Sequence, residues 1–272
     1  MKRYLLIFSA ALGMLIPGAC GKNNPEKGNE GQESLIDLLY PNGQEKKDLE
    51  IVSKNMKQTM KYNVWLPPKF DANKDYPILY LLHGAGDDNN AWLADGKNAY
   101  GGVQGGNAAA IAAKYVKTGG VPMIIVMPDA QMSFYMGDFE KYMYEELMPK
   151  VESEYKFNGK RAVAGLSMGG YGTLYYAMKY PSMYSYAYAM SPAASAEMAG
   201  MVSDPKSLPG ITVETGEADT TTPMTSITPF VDAMKQKGVS IEYITVAGYG
   251  HQWEFWRACL PHALQKAGES FK

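Results

Sequence analysis

The chain has 272 residues, 46% hydrophobic and 20% charged, which is enough apolar material for one large α/β domain and excludes disorder or a collagen-like repeat. With 26 basic against 28 acidic side chains the formal charge is −2, so no electrostatic surplus draws the chain to phosphate backbones, and nucleic-acid binding is disfavoured. Two cysteines, Cys20 and Cys259, are too few for a disulfide framework, while 20 Tyr is a high share of the rings that meet flat or amphipathic ligands.

Lys2 and Arg3 precede an apolar run from Leu5 to Ile16 that ends in Pro17, Gly18 and Ala19. The run is shorter than the roughly 20 residues of a membrane-spanning helix and small residues follow it, so residues 1–19 read as a secretory signal peptide. Cys20 then resembles the acylated cysteine of a bacterial lipobox, although Pro17 stands where Leu is usual. Acylation there would make the protein an exported, membrane-anchored lipoprotein of the periplasm or cell surface; ordinary cleavage would make it secreted. Residues 20–34 are polar and rich in Gly, Asn and Glu, a flexible tether, and residues 35–272 form a single domain.

Short strands are expected at Ile51-Val52 and Lys61 to Leu66, stopped by Pro67-Pro68. The apolar run Ile78 to Leu82 suits a parallel strand buried on both faces. A helix over Asn107 to Val116, a strand over Met123 to Met127 and an amphipathic helix over Phe139 to Tyr155 follow, then strand Arg161 to Ala164 and helix Met168 to Lys179. Strands Tyr184 to Met190 and Ile211 to Thr215, helix Met224 to Lys237, strand Ile241 to Val246 and helix Gln252 to Lys266 complete the pattern. This alternation predicts an α/β fold, a mostly parallel sheet with helices on both faces and ligands at the carboxyl ends of its strands.

Gly165-Leu166-Ser167-Met168-Gly169 joins a strand to a helix, the context in which G-x-S-x-G forces a tight turn and presents Ser167 as a nucleophile. A serine needs a base. His251 lies on a loop after the strand IEYITV, whereas His262 lies on a helix and His83 precedes the serine; in this sheet type the order is Ser, acid, His. Asp219, after ITVETG, occupies the place of the acid, with Glu217 as the alternative and Asp232 as a solvated helix residue. An oxyanion hole needs the amide after the nucleophile, Met168, and one from the loop His83-Gly84-Ala85-Gly86-Asp87-Asp88, whose small residues let backbone amides approach a ligand and for which Ala85 is the candidate. His83 reads as a loop-shaping hydrogen-bond residue, and Cys259 as a buried structural thiol.

The blocks VWLPPKFDANKDYPILYLLHGAGDDNNAW, IIVMPDA, YEELMPKVESEYKF, RAVAGLSMGGYGTLYYAMKYP, TGEAD and GYGHQWEFW together resemble the esterase D group of α/β-hydrolases. Within it they are most similar to the family-one carbohydrate esterases, which include feruloyl and acetyl xylan esterases. The resemblance implies the α/β-hydrolase fold, a Ser167–Asp219–His251 triad, no metal, no cofactor, and an ester-bearing oligo- or polysaccharide as substrate. Trp253, Trp92 and Tyr249 are candidate rings for an aromatic acyl group. Asp95 to Gly106 and Met132 to Gly137 depart from the family pattern and leave the acyl and sugar preferences open. The alternatives are an S-formylglutathione hydrolase, which the export signal argues against, a mycolyltransferase, and a non-catalytic surface-binding lipoprotein of the same fold, which the complete triad argues against.

Overall fold

A computed structural model describes residues 40–272, all within the unit Ser34–Lys272. The signal peptide, Cys20 and the tether lie outside the described residues. In chain order the elements are β1 (Gln44–Ser53), β2 (Gln58–Leu66), β3 (Tyr76–Leu82), a short pair β4 (Gly96–Lys97) and β5 (Val103–Gln104), α1 (Ala108–Lys117), and β6 (Ile124–Pro128). Then come α2 (Asp138–Tyr142), α3 (Met148–Glu154), β7 (Phe157–Leu166), α4 (Met168–Lys179), β8 (Tyr186–Met190), β9 (Gly210–Gly216), α5 (Met224–Gln236), β10 (Ile241–Val246) and α6 (Trp253–Ser270).

Among the described residues eight strands make one sheet in the order β1-β2-β6-β3-β7-β8-β9-β10. β1 and β6 each run antiparallel to β2, and every pairing from β6 to β10 is parallel. All seven residues of β3 are buried, as its continuous apolar run requires. Because successive side chains leave a strand on opposite faces, Ile78, Tyr80 and Leu82 join one core cluster while Leu79 and Leu81 join another. The first cluster is closed by α2, α3, α4 and α5, and the second by α1 and α6. β1 is longer than the expected Ile51-Val52; its charged, half-exposed residues and a register break between Lys46 and Leu49 suit a sheet edge.

The helix expected over Phe139 to Tyr155 is interrupted by a π turn at Met143–Leu147. Pro149 explains it: proline has no N–H to give and its ring crowds the carbonyl four residues back, so the helix widens before it. The expected strand Arg161 to Ala164 extends over Phe157–Leu166, and the final helix runs on to Ser270 with Gln252 as its N-cap. Asp95 to Gly106, where no pattern was legible, contains the β4–β5 hairpin. No helix among the described residues is long and apolar enough to cross a membrane.

Candidate active site

β7 delivers Ser167 to the carboxyl end of the sheet. The serine takes φ 53° and ψ −114°, a conformation that L side chains rarely adopt, and its amide is held by the Met190 carbonyl at 2.9 Å. The glycines beside it are required by contact. A Cβ on Gly165 would stand 2.5 Å from the Gly169 carbonyl oxygen, and one on Gly169 would stand 2.4 Å from the carbonyl oxygen of Leu82. The turn is therefore wedged against the end of β3, and α4 starts directly at Met168 with its unpaired N-terminal amides beside the serine.

The loop after β10 brings His251 to Ser167, 84 residues away in sequence. His251 Nε2 lies 2.9 Å from Ser167 Oγ, and His251 Nδ1 lies 2.8 Å from Asp219 Oδ2. The imidazole also stands edge-on to Trp256 at 4.9 Å. Asp219, in the loop after β9, is 4% exposed. Its Oδ1 accepts the backbone N–H groups of Thr221 and Thr222 at 2.9 and 2.8 Å, and the Thr222 hydroxyl lies 3.0 Å from Oδ2. Burial opposes ionisation of this carboxyl, but the hydrogen bonds from His251 and the Thr222 amide outweigh it and pull the group down to about 2. The carboxylate is thus charged at neutral pH, bonded to one imidazole nitrogen while the other faces the serine hydroxyl.

The loop after β3 is held by its own histidine. His83 Nε2 accepts the Ala130 N–H at 2.8 Å, so its proton sits on Nδ1, which donates to the Gly84 carbonyl at 2.7 Å. Burial outweighs the Gly84 bond and the nearby Asp129 and lowers the pKa of this ring, keeping it neutral. In a trans peptide the carbonyl and the following N–H point in opposite directions, so fixing the Gly84 oxygen also fixes the direction of the Ala85 N–H. Ala85, Ser167 and His251 line one cavity of about 310 Å³.

A model of the Esterase family matches residues 53–267. The chain belongs to that family. It has the α/β-hydrolase fold and falls in the esterase D-type group close to the family-one carbohydrate esterases. It is similar to a xylanase/feruloyl esterase of Xylanibacter ruminicola, 29% identical over 223 residues, which is 75% of this chain and 28% of that protein. The chain thus spans little more than a quarter of that relative's length. A solved ferulic acid esterase superposes with a TM-score of 0.73 at 27% identity, covering 84% of this chain and 100% of the other. An S-formylglutathione hydrolase of Agrobacterium tumefaciens shares the fold, with a TM-score of 0.66 at 17% identity over 82% of this chain and 94% of its own.

In this site the three candidate rings separate. Trp253 lines the cavity together with Trp256. Trp92 does not: it is 1% exposed, its indole N–H donates to the Leu82 carbonyl at 3.0 Å, and its ring backs Trp253 edge-on at 5.3 Å, which makes it core. Tyr249 packs on Phe255 at 5.5 Å and stands outside the cavity lining. Glu217 meets Thr245 rather than His251. His262, on α6, lies 3.5 Å from the buried Glu214 carboxylate. Cys259 is fully buried, and that burial, aided by Glu214, pushes its thiol far up in pKa, so it carries no thiolate chemistry.

The cavity also contains residues that sequence reasoning missed. Asn98, Val103 and Gln104 come from the β4–β5 hairpin, and Gln252 and Glu254 from the start of α6. Glu254 accepts the Val103 N–H at 2.6 Å, and Arg257 binds the Gly105 carbonyl and Asp95, so α6 ties the hairpin down as a wall of the site. Asp87, placed by the sequence on the loop after β3 but given no role there, also lines the cavity.

Proposed function

We propose that this protein is an exported esterase that removes feruloyl or acetyl groups from plant polysaccharide fragments through a Ser167–His251–Asp219 relay. The observation that carries the reading is the unbroken chain of contacts from the Asp219 carboxylate through His251 to the Ser167 hydroxyl. His251 takes the hydroxyl proton as Ser167 attacks the ester carbonyl, and Asp219 stabilises the imidazolium that results. The Met168 and Ala85 amides receive the oxyanion. The alcohol leaves with the proton from His251, an acyl-serine remains, and water activated by the same imidazole resolves it. Neutral imidazole is the working base.

The polysaccharide part of the reading is supported by the relatives, and the test is direct. Purified protein is compared on methyl ferulate, acetylated xylan and an aryl acetate, with Ser167→Ala as the control. Hydrolysis of the acetates alone removes the feruloyl reading, and no hydrolysis of any removes the enzyme assignment. Export rests on residues 1–20. Metabolic labelling with a radioactive fatty acid should mark the native chain and not Cys20→Ala; equal labelling of both removes the lipoprotein reading.

A further inference from the structure

Asp87 sits where a hydrolase has reason to avoid an acid. It lines the same cavity as Ser167 and Ala85, on the loop that supplies the second oxyanion donor. Its Oδ2 lies 3.3 Å from the point where a Cβ on Gly84 would stand, and the Ser167 Cβ lies 3.6 Å from that same point. The Asp87 Oδ2 and the Ser167 Cβ therefore flank one residue, no farther apart than the sum of those distances and within the roughly 8 Å over which charges interact with little screening at physiological salt. The Asp87 N–H donates to the Gly84 carbonyl at 3.3 Å and closes the turn that carries the carboxyl.

The surroundings do nothing to cancel the charge. Among the described residues no Lys or Arg lines the cavity, and its other titratable groups are His251 and Glu254. Glu254 is a second acid, and one of its oxygens is already bonded to Val103. Asp88 follows in the loop and adds negative charge, while His83 is neutral and faces Ala130 and Gly84. The nearest guanidinium on α6, Arg257, is turned to Asp95 and Gly105. Burial, with a smaller push from Asp88, raises the Asp87 carboxyl to about 6 against the pull of the Gly84 backbone.

Resting on the esterase reading above, we propose that Asp87 is a specificity-determining residue that refuses acyl groups carrying a negative charge and reserves the site for neutral, hydroxyl-bearing ones. A carboxylate in a partly dry cavity repels a second anion but accepts a hydrogen bond from a hydroxyl. The same repulsion acts on the oxyanion, so the selectivity costs some rate on neutral esters. It also speeds departure of the carboxylate product. The filter strengthens as pH rises through about 6, where Asp87 ionises.

The test uses two esters that differ by one group, 4-nitrophenyl hexanoate and the 4-nitrophenyl monoester of adipic acid, in which a carboxylate replaces the terminal methyl. In the native protein kcat/KM should favour the hexanoate by more than about tenfold at pH 8, and the ratio should contract as pH falls to 5.5. Asp87→Asn should shrink the pH 8 ratio at least about tenfold, mainly by raising adipate turnover, and should abolish its pH dependence. Asp87→Ser is the second variant if the amide does not fold, with the same expectation. A ratio that is the same in the native protein and the variants, or flat with pH in the native protein, overturns the inference while the esterase reading stands. No turnover of either ester by the native protein defeats the esterase reading and this inference with it.

Discussion

His83 follows β3 and His251 follows β10, so both stand at the carboxyl end of the same sheet, yet they are bonded to different kinds of partner. Both ring nitrogens of His83 are engaged by backbone, and the side chain is 1% exposed. Both ring nitrogens of His251 face side chains that can give or receive a proton, and its ring is partly open to the cavity. A ring locked by amides can only shape a loop. A ring between a carboxylate and a hydroxyl can move a proton, because its charged form has a stabilising partner and its neutral form has a donor to attack.

The largest effects should fall on the His251 side. Ser167→Ala or His251→Ala should lower kcat by about 10⁴-fold or more while leaving the melting temperature near that of the native protein, measured by steady-state assay and calorimetry. Asp219→Asn should cost about 10⁴-fold in kcat, since an amide opposite Nδ1 favours the wrong tautomer. Loss of only tenfold would transfer the acid's role elsewhere. His83→Ala should behave oppositely: a loss of about 10- to 100-fold in kcat/KM, smaller than a deleted oxyanion donor, together with about 1–3 kcal/mol of stability because the buried Ala130 amide loses its acceptor. If His83→Ala were as inactive as His251→Ala with stability intact, the division between the two rings would fail.

The smallest expected effect concerns acid stability. The Asp219 carboxyl is pulled below its ordinary value of 3.8 to about 2, so its contribution to folding is complete above the ordinary value and is lost as pH falls toward 2. Denaturant unfolding of Asp219→Asn between pH 6 and 2.5 should show a shallower acid limb, by about 1 kcal/mol. An unchanged limb would mean that the hydrogen bonds to Asp219 do not favour its charged form.

Much of the active site was legible because its pieces are local. The strand-to-helix turn of Gly165 to Gly169 announces itself through glycines that only close packing against β3 can require, and the positions of Asp219 and His251 follow from strand ends that hydrophobic runs mark. The cavity wall was not legible. β4 and β5 are two residues each, too short for any periodicity, and they are held by Glu254 and Arg257 from about 150 positions away in the chain. Trp92 and Trp253 are alike as sequence symbols; a hydrogen bond to Leu82 and full burial make one of them core. The π turn before Pro149 was likewise hidden behind an otherwise regular helical pattern.

The amino-acid order alone determined the strand and helix alternation, and with it the sheet, its two apolar faces and the end at which chemistry can occur, since burial of periodic side chains depends on near neighbours. Only the tertiary structure decided which histidine meets which partner, which tryptophan reaches the cavity, and that the acid on the loop after β3 shares that cavity with the serine. Those outcomes depend on distances between residues far apart in the chain, and such distances are set by how the faces pack.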